Sequence, residues 1–262
     1  KIISKDEGVL CGKPIVNRLL EIHFSECEIK WYVEEGGEIK NSQTILEIKG
    51  MAEEILKVER IMLNILGNLS GIATNTEKWV KIVPQIKVAA TRKTDWGLMD
   101  KWAVNVGGGY THRLNRNDAM MLKENDFASH MRDEENYLQT ISRTIEEIDL
   151  SKVDDFIIVE VQNMNEAMIV VKVWEKKIQS NIKNIKIVLL LDNIDTKAVK
   201  KISERLIKNK LREYCILEAS GGIDIDSLED WNKTDIEVIS SSKLNRGVRP
   251  IDLSMLLEKE GF

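Results

Sequence analysis

Phe156-Ile157-Ile158-Val159-Glu160-Val161 and Ile187-Val188-Leu189-Leu190-Leu191-Asp192 decide the fold. Each is a nearly continuous apolar run short enough for one strand, and such runs mark strands buried on both faces, as in parallel sheets. Between and around them the pattern turns amphipathic at helical spacing, over Asp133 to Asp149, Glu166 to Gln179 and Thr196 to Arg212. Strands separated by helices imply parallel neighbours. The same alternation extends outward to strand candidates at Ile86 to Thr91, Asn105 to Gly108, Ala119 to Lys123, Asp155 to Val161, Ile185 to Asp192, Tyr214 to Ala219 and Ile236 to Ser240. A complete eightfold barrel takes about 250 residues, more than remain after Pro84. The expectation is therefore an α/β fold whose larger part, 85–246, is an incomplete barrel of about seven strands.

Residues 1–84 read differently. From Cys27 to Gly50 apolar and polar residues alternate through Ile29, Trp31 and Val33, turn at Gly36-Gly37, and resume through Ile39, Ile45, Leu46 and Ile48. That predicts a small antiparallel unit. Ala52 to Val83 is helical in period, and Leu69-Ser70-Gly71 predicts a break into two helices. The tail 247–262 is expected to pack back on this module.

Composition excludes several classes of protein. With 262 residues and 43% hydrophobic content the chain can bury a core, so disorder is not its main state. Every apolar stretch is interrupted by charge before the roughly 18 residues a membrane span requires. The first residues do not read as a secretory signal, and the missing initiator Met leaves room for an upstream segment. Cys11, Cys27 and Cys215 are odd in number without CxxC spacing, which predicts reduced, buried thiols in a cytoplasmic protein. A net charge of −5 disfavours binding nucleic acid over the whole surface. The lysines 197, 200, 201, 208 and 210 form a solvated helix face interrupted by Glu204, with no interleaved aromatics. Trp79, Trp102, Trp174 and Trp231 fall in helical stretches and read as packing residues.

In α/β barrels chemistry gathers at the C-terminal ends of the strands. Those positions hold Thr91-Arg92-Lys93-Thr94, Gly107-Gly108-Gly109 with His112-Arg113, Lys123, Glu160, Asp192, Ser220-Gly221-Gly222 and Ser240-Ser241-Ser242. Basic side chains, two carboxylates and small-residue loops in one mouth suit a phosphate-bearing polyanion with a divalent metal on the carboxylates. Taken singly, Arg92 and Lys93 could be surface charges, the glycine triplet a turn, and Glu160 with Asp192 a structural ion-pair set.

Taken in order, the motifs resemble the quinolinate phosphoribosyltransferase family. They are Glu59-Arg60, Leu69-Ser70-Gly71-Ile72-Ala73-Thr74, Thr91-Arg92-Lys93-Thr94, the glycine triplet, His112-Arg113, Lys123, Glu160-Val161, Leu191-Asp192-Asn193 and Glu218-Ala219-Ser220-Gly221-Gly222-Ile223. The resemblance implies an N-terminal α/β open sandwich domain, the incomplete barrel, and a cytoplasmic homodimer with shared active sites. It implies that Arg92, His112 and Arg113 hold the two carboxylates of quinolinate, with Thr91 nearby. Lys93 and Lys123 would lie at the reacting centre, and Glu160 and Asp192 below the ribose of phosphoribosyl pyrophosphate with Mg²⁺. Ser220, Gly221, Gly222, Ser241 and Ser242 would bind the 5′-phosphate, and Arg60 would enter the partner's site.

The chain departs from the family pattern where Ser240-Ser241-Ser242-Lys243-Leu244-Asn245-Arg246 replaces a Ser-Val-Gly-Ala-Leu-Thr-His loop. Ser242 and Arg246 thereby stand for a glycine and a histidine. Thr111, Asp126 and Trp96 also differ from the usual residues. Two rival functions follow from the sequence. One is a paralogous enzyme of the same fold acting on another acceptor, nicotinate-like or molybdenum-associated. The other is a carrier, since Val33 to Ile39 resembles half of a lipoyl or biotinyl motif, although Lys49 is followed by Gly50 and a helix.

Overall fold

The two apolar runs form adjacent parallel strands in the computed structural model, which describes residues 1–153, 156–181 and 185–258. In chain order the elements are β1 (Ile2–Ser4), β2 (Gly8–Val9), α1 (Lys13–His23), β3 (Glu28–Trp31), β4 (Glu38–Ile39), β5 (Thr44–Lys49), α2 (Ala52–Ile82), β6 (Lys87–Ala90), α3 (Leu98–Val106) and β7 (Met120–Leu122). They continue with α4 (Glu124–His130), α5 (Tyr137–Glu146), β8 (Ile157–Val161), α6 (Met164–Gln179), β9 (Ile187–Asp192), α7 (Thr196–Lys208), β10 (Cys215–Ser220), α8 (Leu228–Trp231), β11 (Val238–Ser241) and β12 (Leu253–Met255). The chain divides into two compact units. One contains Lys1–Lys81, Lys93–Thr111 and the segment from Ser242 onward; the other contains Ile82–Arg92 and His112–Ser241.

In the first unit the expected antiparallel sheet forms with strand order β12-β1-β5-β3, and β2 pairs with β4. The sheet's apolar side meets α2, whose Ile55, Val58, Met62, Leu63 and Leu66 recur at spacings of three and four and are buried with Ile2, Ile45, Leu46 and Leu253. The expected break at Ser70-Gly71 is absent, and α2 runs unbroken for 31 residues. Packing explains why. Ser70 Oγ accepts from Cys11 N at 2.9 Å, Thr74 Oγ1 accepts from Val9 N at 2.9 Å, and a Cβ on Gly71 would lie 2.5 Å from Arg249 O. The small residues admit two neighbouring chain segments to the helix surface, a tertiary gain that outweighs low helix propensity.

A second expectation also fails. Asn105 to Gly108 is no strand: residues 98–106 are helical, with Ala103 and Val104 buried. The glycines after it close the helix against α2, because a Cβ on Gly107 would lie 2.3 Å from Ala73 O and one on Gly109 2.7 Å from Thr76 Cγ2. Gly107 and Gly109 thus serve close packing against α2. Trp102 on α3 is 46% exposed, not a core residue, and its indole N–H donates to Glu35 at 2.9 Å.

The second unit is built on six parallel strands in the order β6-β11-β10-β9-β8-β7. Six of the seven expected strands are present, and Asp155, expected at the start of β8, lies outside the described residues. Sequence neighbours are spatial neighbours from β7 to β11, and the last strand pairs back to β6, while β6 and β7 stay apart. That cyclic order is an incomplete barrel. Asn136, Asn163 and Asp195 cap α5, α6 and α7 by accepting backbone N–H groups, so these helices begin where polar residues satisfy their open donors. The three cysteines are free and buried. No described helix is long and apolar enough to cross a membrane.

Candidate active site

Strand periodicity assigns the site residues to one face. Parallel register aligns Glu160 with Leu190 and Glu218, and Asp192 with Ser220 and Ser240. Side chains alternate along each strand, so residues two apart share a face. One face carries Ile157, Val159, Val161, Ile187, Leu189, Leu191, Cys215, Leu217 and Ala219, all buried. The other begins apolar, with Ile158, Val188 and Leu190 clustered beside Met121 and Ile216. Toward the C-terminal ends it turns polar, through Lys123, Glu160, Asp192, Glu218, Ser220 and Ser240. The apolar floor makes the strand ends a rigid base for charged groups.

Lys123 and Glu160, from adjacent strand ends, form an ion pair. Asp192 ends β9 and is followed by Asn193 at φ 56°, whose N–H donates to Ser220 O at 2.9 Å. Gly221 and Gly222 both have positive φ, and a Cβ on Gly221 would lie 2.7 Å from Asn193 Oδ1. Only glycine lets these two loops meet. Ser241 is buried on the opposite face, and its hydroxyl donates to Ile223 O at 3.0 Å, bracing the glycine loop from behind.

The basic cluster is the most unusual feature. Arg113 is 9% exposed; Nη1 donates to Ala119 O at 3.0 Å, Nη2 to Met121 Sδ at 2.9 Å, and Nε has no partner. Among the described residues no carboxylate forms an ion pair with it. Burial lowers the Arg113 pKa, and the Arg92 guanidinium lowers it further, opposed by the charge of Glu218. His112 sits at φ 51°, and its Nε2 lies 3.1 and 3.2 Å from the two oxygens of Glu218. Glu218, a single polar residue inside Ile216-Leu217-Glu218-Ala219, was not among the site residues expected from sequence. The interrupted apolar run that drew notice to Glu160 marks it equally well.

Thr91 shares this unit, whereas Arg60, Lys93 and Ser242 belong to the other, because the unit boundaries fall between Arg92 and Lys93, Thr111 and His112, and Ser241 and Ser242. Lys93 is exposed, and its carbonyl accepts from Asn245 Nδ2 at 2.9 Å. Asn245 also donates to Asp100 at 3.0 Å, and Asp100 accepts from Asp95 N at 2.8 Å, fixing the turn that follows Lys93. The Ser242 carbonyl accepts from Arg246 N at 2.8 Å, and Arg246 pairs with Asp95 at 3.3 Å. Arg60 is exposed on α2 and lines a groove of about 410 Å³ with Asn64, Asn68 and Arg249.

Among the described residues no group of three or more His, Cys, Asp or Glu side chains is placed to hold a metal. Glu160 and Asp192 alone offer two hard oxygen donors from adjacent strands, which fits Mg²⁺ only when a ligand's phosphates complete its shell.

Comparison with known proteins agrees with this geometry. The quinolinate phosphoribosyl transferase N-terminal domain family matches residues 1–70, and the corresponding C-terminal domain family matches residues 72–256. A probable nicotinate-nucleotide pyrophosphorylase [carboxylating] of Methanothermobacter thermautotrophicus is 32% identical over 260 residues, covering 97% of this chain and 86% of its own. The protein of the same description from Archaeoglobus fulgidus is 30% identical over 262 residues, covering 97% and 92%. The crystal structure of NadC from Streptococcus pyogenes superposes with a TM-score of 0.81 at 28% identity, covering 97% of this chain and 84% of that one.

Proposed function

The chain belongs to the quinolinate phosphoribosyltransferase family, and we propose that it joins quinolinate to phosphoribosyl pyrophosphate, releasing nicotinate mononucleotide, pyrophosphate and CO₂ in NAD biosynthesis. One observation carries the choice of acceptor: Arg113 is a buried guanidinium without a carboxylate partner among the described residues, and Arg92 is close enough to repel it. Such an arrangement is costly unless an anion binds there. An acceptor with two adjacent carboxylates satisfies Arg92, Arg113 and His112 together, whereas a one-carboxylate acceptor leaves part of the cluster unpaired.

The reaction forms a bond from the pyridine nitrogen to the ribose anomeric carbon and breaks the bond from that carbon to pyrophosphate. Cationic character develops on the ribose, and the carboxylates of Glu160 and Asp192 stabilise it. Mg²⁺, when bound with the substrate diphosphate, supplies charge neutralisation for the departing group. Lys123, paired with Glu160, is available to an incoming phosphate once that pair opens. Ser220, Gly221 and Gly222 receive the 5′-phosphate through backbone N–H groups, and Ser241 supports them. After ribosylation the ring nitrogen is cationic and takes up the electron pair released as CO₂ leaves; a proton then replaces CO₂ on the carbon. The substrate is its own electron sink, so no further organic cofactor is needed.

In this proposal Lys93 and Ser242 contact substrate as the family resemblance implies, and the protein works in the cytoplasm as a homodimer in which Arg60 serves the partner's site. The exposure of Arg60 on α2 supports that role. The test is direct: quinolinate, phosphoribosyl pyrophosphate and Mg²⁺ incubated with the protein should give nicotinate mononucleotide, identified by mass. No mononucleotide, with both substrates shown to bind, would refute the proposal.

A further inference from the structure

Met121 sits where one face of the parallel sheet changes character. It is in register with Ile158 and packs against the cluster of Ile158, Val188 and Leu190, whereas Lys123, two residues further along, pairs with Glu160. Its sulfur accepts from Arg113 Nη2 at 2.9 Å, while Arg113 Nη1 donates to Ala119 O at 3.0 Å. These are the hydrogen-bond partners of a guanidinium that is 9% exposed, and both are neutral. Asp118, in the same loop, is not a partner: its carboxylate accepts from Leu114 N, Asn115 N and Asn115 Nδ2. A thioether is a weak acceptor carried on an apolar, unbranched side chain. It fills the apolar floor and also receives one N–H of a buried cation. A carboxylate at this position would neutralise the guanidinium, and an aliphatic side chain would leave that N–H without an acceptor and the group free to turn.

We infer that Met121 is a positioning residue for the acceptor: its sulfur, together with Ala119 O, holds the plane of the Arg113 guanidinium while leaving its charge to an anionic ligand. The inference rests on the assignment of Arg113 to the acceptor carboxylates. Loss of the sulfur has two effects of opposite sign. It releases the orientation of the fork, which weakens binding, and it frees one N–H that a ligand could take, which strengthens it. A carboxylate brings two oxygens for the two remaining Nη donors, so the freed N–H adds little and orientation is the larger effect.

The experiment is calorimetric titration of quinolinate and phosphoribosyl pyrophosphate into the full chain carrying Met121→Leu, Met121→Gln, Arg113→Ala, or Arg113→Ala with Met121→Leu. Met121→Leu conserves volume, a change that cores tolerate well, and removes the acceptor. Quinolinate should bind about three- to tenfold more weakly, the scale for ordering one flexible side chain on binding, with phosphoribosyl pyrophosphate affinity unchanged. Met121→Gln is of similar length and restores a neutral acceptor through its amide oxygen, so it should bind quinolinate more tightly than Met121→Leu. Packing alone predicts the reverse order, since Leu suits an apolar floor better than an amide. On the Arg113→Ala background Met121→Leu should cause no further loss, because residues acting through one another are not additive. Wild-type or tighter quinolinate binding in Met121→Leu, weaker binding in a folded Met121→Gln than in Met121→Leu, or additive losses would overturn the inference.

A spectroscopic readout on the free protein needs no substrate. Both Nη groups are tethered, so rotation about the Nε–Cζ bond should be slow and Arg113 should show two separate Nη resonances, assigned by their loss in Arg113→Ala. They should merge in Met121→Leu and separate again in Met121→Gln. Two unchanged resonances in Met121→Leu overturn the positioning role while leaving the acceptor assignment standing. Wild-type quinolinate affinity in Arg113→Ala overturns the acceptor assignment, and the positioning role falls with it.

Discussion

Replacing Arg113 with Ala should weaken quinolinate binding far more than phosphoribosyl pyrophosphate binding. The guanidinium places one N–H of Nη1 on Ala119 O and one of Nη2 on Met121 Sδ and has no carboxylate partner among the described residues, so its remaining Nη donors form a fork already held in place for a ligand carboxylate. Truncating one partner of a buried charge pair costs roughly 2–5 kcal/mol. At about 1.4 kcal/mol per tenfold, that is a loss of affinity between roughly 30-fold and a few thousand-fold. Two effects on the fold partly cancel. Ala119 O loses a hydrogen bond worth about 1 kcal/mol net, while a desolvated cation repelled by Arg92 is removed. The variant should therefore fold. Arg113→Lys keeps a point charge but not the planar fork and should lie between the two. Calorimetry with quinolinate and nicotinate on all three proteins is the assay. Equal wild-type affinity for the two ligands, or an unchanged quinolinate affinity in Arg113→Ala, would refute the dicarboxylate reading.

Glu160→Gln and Asp192→Asn should each lower kcat by about a hundredfold or more, the scale for losing one preorganised electrostatic group; wild-type turnover in either would remove that residue from the mechanism. Mixing inactive Arg60→Ala and Lys93→Ala chains should restore activity, because a heterodimer holds one intact site, and no recovery despite proven subunit exchange would count against a shared site. Gly107→Ala should destabilise by about 1–3 kcal/mol, since its Cβ would press on the Ala73 carbonyl; an unchanged urea midpoint would contradict the packing role. Glu135 is held at about 2 by hydrogen bonds from Arg143, below its ordinary 4.5. A depressed pKa means the contribution is full above about pH 4.5 and is lost as pH falls through about 2, so the stability gap between wild type and Glu135→Gln should shrink over that window.

The parallel sheet was readable because Ile157 to Val161 and Ile187 to Leu191 are apolar on both faces, a pattern that few other environments produce. Glu160 and Asp192 were readable for the same reason, as charges where burial leaves little room for them. The failures have one physical source. Ser70, Gly71, Gly107 and Gly109 were read by local propensity, yet each is placed by a backbone or side chain remote in sequence, at Cys11, Arg249, Ala73 or Thr76. Periodicity cannot register a partner more than thirty residues away. Glu218 carried a visible signal, but its partner, His112, lies 106 residues from it in sequence.

The stoichiometry of the reaction distinguishes the possible acceptors most directly. Quinolinate, nicotinate and related pyridine carboxylates should be offered in turn with phosphoribosyl pyrophosphate and Mg²⁺ while pyrophosphate and CO₂ are measured together. Quinolinate should release the two products in equal amounts, and nicotinate should release neither at a comparable rate. Pyrophosphate released with nicotinate and no CO₂ from quinolinate would contradict the account and assign the site to a different acceptor.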